Sequence, residues 1–162
     1  MTEQAAELCK VPLEKRIRIL GCHVEQACED GVEHIPEIIR YDHLGKAFEK
    51  ARGEAGIDFQ EKFFKREALL EAYTCYPVVP IAFLLATGLV QKVSEIPDFL
   101  KEYPLTLSGG LNLGKAPWNN TTLSHLITMV KQLRDPTQPS LGGIHSNGAL
   151  GYLQGFVILK RV

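Results

Sequence analysis

The stretch Glu71–Leu89, EAYTCYPVVPIAFLLATGL, decides how this sequence is read, because two kinds of structure meet inside it. Ala68 to Thr74 reads as a buried strand, and Pro77 to Gly88 as a helix that is apolar on nearly every side. A helix of that kind has to be covered all round, so it is expected to be the most buried helix of the fold. Between them stand Tyr73, Thr74, Cys75 and Tyr76, polar groups at the point where a strand gives way to a helix. Open α/β sheets carry their chemistry at such strand ends. Cys75 is therefore a nucleophile, a pocket-lining group, or a small residue filling a gap.

Working outward, Arg16 to Ala27 partly alternates apolar and charged residues like a strand, and Glu29-Asp30-Gly31 follows as a turn. His34 to Gly56 is helical: Leu44, Ala47, Phe48, Ala51 and Ala55 recur at three and four, with Pro36 suiting its start and Gly56 its stop. A charged connection leads to the Ala68 strand. Beyond Gly88, a loop with Pro97 and Pro104 precedes a short strand, Leu105 to Ser108. Asn120 caps an amphipathic helix with a stripe of Leu123, Leu126, Ile127, Val130 and Leu133, which puts His125 on the polar, surface side. Leu141 to Asn147 and Gly155 to Arg161 then read as a hairpin. The order βαβαβαββ predicts an α/β fold: one domain over residues 1–162, with a five-stranded mixed sheet and helices on both faces.

Bulk properties narrow the function classes. A chain of 162 residues, 45% hydrophobic and 23% charged, has the balance of a folded domain with a real core. A net charge of −1 gives no electrostatic case for nucleic acid or an anionic membrane surface. The clusters Lys15-Arg16-Arg18 and Lys62-Lys65-Arg66 read as solvated faces. The N-terminus has no apolar segment of the secretory kind, and the apolar run from Val78 to Val90 contains Pro80 and Gly88 and is too short to span a bilayer. These features predict a cytoplasmic protein with reduced cysteines. Cys22, His23, Cys28 and His34 fit no standard zinc spacing, and Cys22 and Cys28 read instead as small, semi-buried residues flanking a strand. Gly109 to Lys115, GGLNLGK, imitates a phosphate loop, but Ala116 stands where Mg²⁺ needs a hydroxyl, and Pro117 and Trp118 delay the helix.

Three segments in order carry a family resemblance: EAYTCYPVVPIAFLLATGL, LTLSGGLNLGKAPWNNTTLSHLITMVKQLR and GGIHSNGALGYLQGFVIL. Together they resemble the C-terminal half of the thiolase superfamily, most of all thiolase-like proteins of the acetyl-CoA acetyltransferase type, over about Thr2 to Val162. In that family an Asn-Glu-Ala-Phe or His-Asp-Cys-Phe segment holds a water or donor near the substrate carbonyl. A Gly-His-Pro segment supplies the histidine that activates the nucleophilic cysteine, and a Cys-x-Gly-Gly segment supplies the cysteine that moves the α-proton. The nucleophile itself belongs to the N-terminal half.

By this resemblance the catalytic motif positions are Tyr73, Cys75, Ala116 and Ser146. The cysteine of the His-Asp-Cys-Phe version survives as Cys75, but Tyr73 stands for the Asn or His, Ala116 for the activating His, and the second Cys falls at or next to Ser146. All three chemical groups are thus changed, with His145 as a possible substitute base if its ring faces the pocket. On a strand His145 and Ser146 point to opposite faces. A thiol with pKa about 8.5 is mostly protonated at pH 7 without a basic neighbour, and Ala116 cannot be one. Ser108, Gly109, Gly110, Asn119 and Asn120 are the implied substrate-binding residues, in a loop expected to converge on Tyr73 to Tyr76.

The resemblance implies acyl transfer, or formation or cleavage of a carbon–carbon bond, on coenzyme A thioesters. The thioester is the substrate, and no cofactor or metal is called for. The implied partners are an N-terminal thiolase half in the same or a companion chain, an acyl-CoA and, possible in addition, another copy in a homo-oligomer. The isolated chain, a fragment or one member of a split pair, is expected to be inactive. The alternative is a non-catalytic thiolase-like subunit that binds CoA or completes another protein's site.

Overall fold

The computed structural model describes residues 2–27, 32–111 and 121–162. Helix α1 (Glu3–Leu8) opens the chain, with the Thr2 hydroxyl accepting the Ala5 N–H at 3.2 Å. Strand β1 (Ile17–Gln26) follows, then one helical turn, α2 (Ile35–Ile38), and helices α3 (Asp42–Ala55) and α4 (Phe59–Phe64). Strand β2 (Ala68–Glu71) leads to α5 (Val78–Ala86) and α6 (Ile96–Glu102). Helix α7 (Thr121–Leu133) and strands β3 (Leu141–Gly148) and β4 (Leu153–Arg161) complete the chain.

The sheet runs β1-β4-β3-β2, with β2 parallel to β3 and the other two pairings antiparallel. It is mixed, as expected, but has four strands among the described residues rather than five. The missing strand is Leu105–Ser108, which lies along β2 without joining the ladder. One backbone bond links them, Ala72 N–H to Leu105 O at 2.8 Å. The next donor, Leu107 N–H, goes to the Glu71 carboxylate at 2.6 Å instead of to a strand carbonyl. A side chain has taken the place of the backbone acceptor, and a ladder cannot continue past it.

Other boundaries also differ. The His34–Gly56 helix is broken at Tyr41, whose φ of 58° is left-handed and interrupts the turn before α3 begins. Gly56 does end α3, at a φ of 62°. The charged connection contains α4, capped by the Asp58 carboxylate on Glu61 N–H at 3.1 Å. The proline loop contains α6, with Pro97 in its first turn, where the missing N–H costs nothing. The β2 ladder stops at Glu71, before Tyr73 and Thr74.

Helices cover both faces of the sheet. On one face α3, α4 and α5 bury Phe48, Phe59, Phe83, Phe156 and Ile158 in a single aromatic-rich core. Phe48 and Phe59 both meet Phe156 edge-on, at 4.8 and 5.4 Å between ring centroids. Two glycines make this packing possible. A Cβ at Gly21 would lie 2.2 Å from the Ala51 carbonyl oxygen on α3, and one at Gly143 would lie 2.4 Å from the Phe59 ring. The ladder slips between Ile19 and Gly21, leaving Leu20 as a bulge.

On the other face α7 sets Met129 and Leu133 against Ile144 and Leu159. Its buried row is Thr121, His125, Met129 and Leu133, so the helix is rotated from the stripe that its sequence suggests. Leu123 and Ile127 are about half exposed (53% and 50%), and His125, expected on the surface, is buried. The α5 helix buries Val79, Ala82, Phe83 and Leu84 but leaves Val78 and Leu85 exposed, so it is covered along one side rather than all round.

Candidate functional site

The polar residues of the Glu71–Leu89 stretch lie just past the C-terminal end of β2, beside the matching end of β3, and two hydrogen-bonded groups form around them. The first is on the aromatic-core face. Tyr73 N–H donates to His145 Nδ1 at 3.4 Å, and a backbone N–H can only donate, so Nδ1 is the acceptor and Nε2 carries the proton. His145 Nε2–H then donates to Gln154 Oε1 at 2.8 Å. The Gln154 amide nitrogen donates in turn to Asn147 Oδ1 and to Gly151 O. That leaves the Asn147 amide nitrogen facing Cys75 Sγ at 3.9 Å. One backbone donor has set the orientation of every group in the chain.

His145 is wholly buried and stacks on Phe83 at 4.6 Å. Burial pushes its pKa down to about 4, outweighing the opposite pull of the Gln154 hydrogen bond. It is a neutral, structural imidazole with both nitrogens committed, not a free base. Burial raises the Cys75 pKa, and hydrogen bonds from the Tyr76 backbone and from Asn147 only partly offset it. This thiol stays protonated at neutral pH. Ser146 points to the opposite face, where the position of a Cβ at Gly155 would fall 2.6 Å from its hydroxyl.

The second group is on the α7 face. Glu71, fully buried, accepts Leu107 N–H and the Ser108 hydroxyl, each at 2.6 Å. His125 lies behind it, with Nε2 3.6 Å from Glu71 Oε1 and neither ring nitrogen hydrogen-bonded. Burial lowers the His125 pKa, and the neighbouring carboxylate opposes the shift. The Tyr73 ring stands edge-on to both histidines, at 6.2 and 6.5 Å.

The glycine loop meets this strand end. Leu111 N–H donates to Thr74 Oγ1 at 2.8 Å, and Gly109 and Gly110 have φ of 85° and 81°, which glycine adopts without strain. Thr74, Pro80, Leu100, Pro104, Leu105, Thr106 and the two glycines line an open cleft of about 350 Å³. Ala116, Asn119 and Asn120 lie outside the described residues, as does Cys28. Cys22 is exposed rather than semi-buried. Among the described residues no three His, Cys, Asp or Glu side chains gather as a metal ion would require. No described helix is long and apolar enough to cross a membrane.

Glu71, His125, Asn147 and Gln154 were not singled out from sequence. Glu71 was legible in principle, as a carboxylate inside an apolar strand. His125 was hidden by its place outside the apolar stripe.

No protein-family model matches the sequence, and no curated protein matches it. Its fold is similar to that of several solved structures. The monomeric SCP2-thiolase like protein type 1 of Mycobacterium smegmatis superposes with a TM-score of 0.74 at 21% identity, over 100% of this chain and 33% of that one. Human mitochondrial 3-ketoacyl-CoA thiolase, solved in complex with CoA, gives 0.67 at 18% identity, over 99% of this chain and 34% of the other. Acetyl-CoA acetyltransferase of Syntrophomonas wolfei gives 0.66 at 15% identity, over 100% and 35%. The chain therefore has the fold of a thiolase-like half domain and spans about a third of the length of the proteins it resembles.

Proposed function

We propose that this chain is the C-terminal half of an acyltransferase of the thiolase type, acting on coenzyme A thioesters by acyl transfer or by making or breaking a carbon–carbon bond, and inactive by itself. The observation that carries this reading is the meeting of the YTCYP segment with the glycine loop at one strand end, in a fold of the thiolase type. The thioester is the substrate, and no cofactor beyond it is invoked.

A partner half is supported by the second apolar side of α7. Met129 and Leu133 face the sheet, while Leu123 and Ile127 face outward and are about half exposed, beside a sheet face on which Ile19 and Val24 are also exposed. A helix apolar on two sides is stable between two layers, and the described residues supply one of them. An N-terminal half, in the same or a companion chain, would supply the other layer and the nucleophilic cysteine.

A second reading has its own support. His145 is neutral and committed, and the Cys75 thiol is held protonated, so the described residues offer no activated group. This favours a non-catalytic module that binds CoA or completes another protein's site. Turnover of acetoacetyl-CoA with free CoA separates the two. The acyltransferase reading expects none from the 162-residue chain and recovery when an N-terminal half is supplied. Activity of the chain alone overturns both readings. Acetyl-CoA binding without turnover in the reunited pair supports the non-catalytic one.

A further inference from the structure

The segment from Leu105 to Leu111 is tied to the end of β2 at four points. Leu105 O accepts Ala72 N–H at 2.8 Å, and Leu111 N–H donates to Thr74 Oγ1 at 2.8 Å. The two central ties, Leu107 N–H and the Ser108 hydroxyl, both end on the one carboxylate of Glu71. Remove that carboxylate and a stretch containing two consecutive left-handed glycines is held only at its ends. Glycine has the largest backbone entropy to lose, so such a stretch does not order itself.

We propose that Glu71 is a positioning residue: with His125 behind it, its carboxylate holds the Leu107–Gly110 loop against Thr74 and so shapes the cleft beside the YTCYP segment. The relevance of that cleft to an acyl thioester rests on the reading given under Proposed function. The positioning itself does not.

Two features separate this role from ordinary packing. The carboxylate is wholly buried, and the one basic side chain within ion-pair distance of it among the described residues is the His125 imidazole. Its charge is thus offset by two short hydrogen bonds and by an imidazole whose nitrogens have no other partner. A buried polar ring left unsatisfied is costly, so its place at 3.6 Å from a carboxylate makes Glu71 the group it answers to. The groups facing His125 are Glu71 and the Tyr73 ring from the β2 end and His145 from β3. Glu71 is the anion among them, and it alone raises the proton affinity that burial lowers.

The test uses the 162-residue chain, amide hydrogen exchange and NMR titration of the histidine rings. Glu71→Ala removes both central ties, and exchange at Leu107 and Leu111 is expected to quicken by about ten- to hundredfold while Ile144 and Ile158 in the sheet keep their rates. Glu71→Gln keeps the volume and one acceptor, and guards against a variant that fails to fold. There Leu107 retains most of its protection, but the His125 titration falls by about one pH unit or more because its counter-charge is gone. A residue that merely filled space would leave that titration unmoved.

Unchanged exchange at Leu107 in Glu71→Ala, or an unchanged His125 titration in Glu71→Gln, overturns the proposal. Acetyl-CoA affinity, measured alongside, keeps the two readings apart. A loosened loop with unaltered affinity supports the positioning role and counts against the acyl-thioester reading of the cleft. A loosened loop with weakened affinity supports both.

Discussion

Replacing His145 with glutamine should remove a large part of the protein's sensitivity to acid. The imidazole has an ordinary pKa near 6.5 in an unfolded chain and about 4 in the fold, where burial keeps it neutral. Above pH 6.5 it is uncharged in both states and the stability it leaves intact is fully present. Between pH 6.5 and about 4 the unfolded chain takes up the proton and the folded one does not, so stability falls as pH falls; below about 4 this loss levels off. The gap of about 2.5 units corresponds to about 3 kcal/mol. Glutamine can still donate to Gln154 and carries no titrating group, though it gives up the stack on Phe83 and starts from a lower stability. The assay is urea unfolding at pH 7, 6, 5 and 4, with linear extrapolation for each protein. The change in stability between pH 7 and 4 should be about 3 kcal/mol smaller in His145→Gln, with the carboxylates and His125 common to both. Parallel curves would refute the view that His145 is buried neutral with Nδ1 committed as an acceptor.

Three further outcomes follow from the packing. Gly21→Ala sets a methyl group 2.2 Å from the Ala51 carbonyl, which belongs to a helix backbone and cannot swing away, so a loss of about 3 kcal/mol is expected by thermal or urea unfolding. Gly110→Val combines a φ of 81° with a Cβ 2.8 Å from Thr74 Oγ1. It should displace the loop and abolish acyl-CoA binding by the pair reunited with its N-terminal half, with the far-ultraviolet dichroism of the chain unchanged. Cys75, half-buried and protonated, should be alkylated by iodoacetamide at pH 7 at least about tenfold more slowly than exposed Cys9, read by mass spectrometry of the two peptides.

The sequence showed the parts of the fold that local chemistry settles. β1, the α5 helix and the β3–β4 hairpin follow from alternation, apolar run and turn residues, and Gly56 ends α3 as its position suggests. Two missed helices had readable signals: Asp58 with Glu61 three residues on opens α4, and Pro97 sits where a helix tolerates it. Tyr41 was not readable, since nothing local tells that a tyrosine will adopt a left-handed φ. Leu105–Ser108 has the composition of a strand, and only the tertiary placement of Glu71 diverts its donor. The rotation of α7 fails for a related reason. Amphipathicity assumes one buried side, whereas here a carboxylate draws His125 inward and leaves Leu123 and Ile127 outward.

The slipped register at Leu20 bears on how this protein behaves at high concentration. A ten-residue strand at the edge of a sheet is a template on which another chain's strand can add, and repeated addition leads to aggregates. β1 blunts that risk in two ways. The bulge bends the edge out of the regular spacing that an incoming strand needs. Two residues on, the Cys22 N–H is already taken by the Glu54 carboxylate at 3.0 Å, so a donor that would recruit a neighbour is occupied from within. At the opposite edge Glu71 treats Leu107 in the same manner. A carboxylate accepts without offering a donor in return, so it terminates a sheet where a peptide group would extend it. Glu54→Gln, a change at a surface residue, would put a donor beside the Cys22 N–H in place of a group that only accepts, and reopen that edge to strand addition.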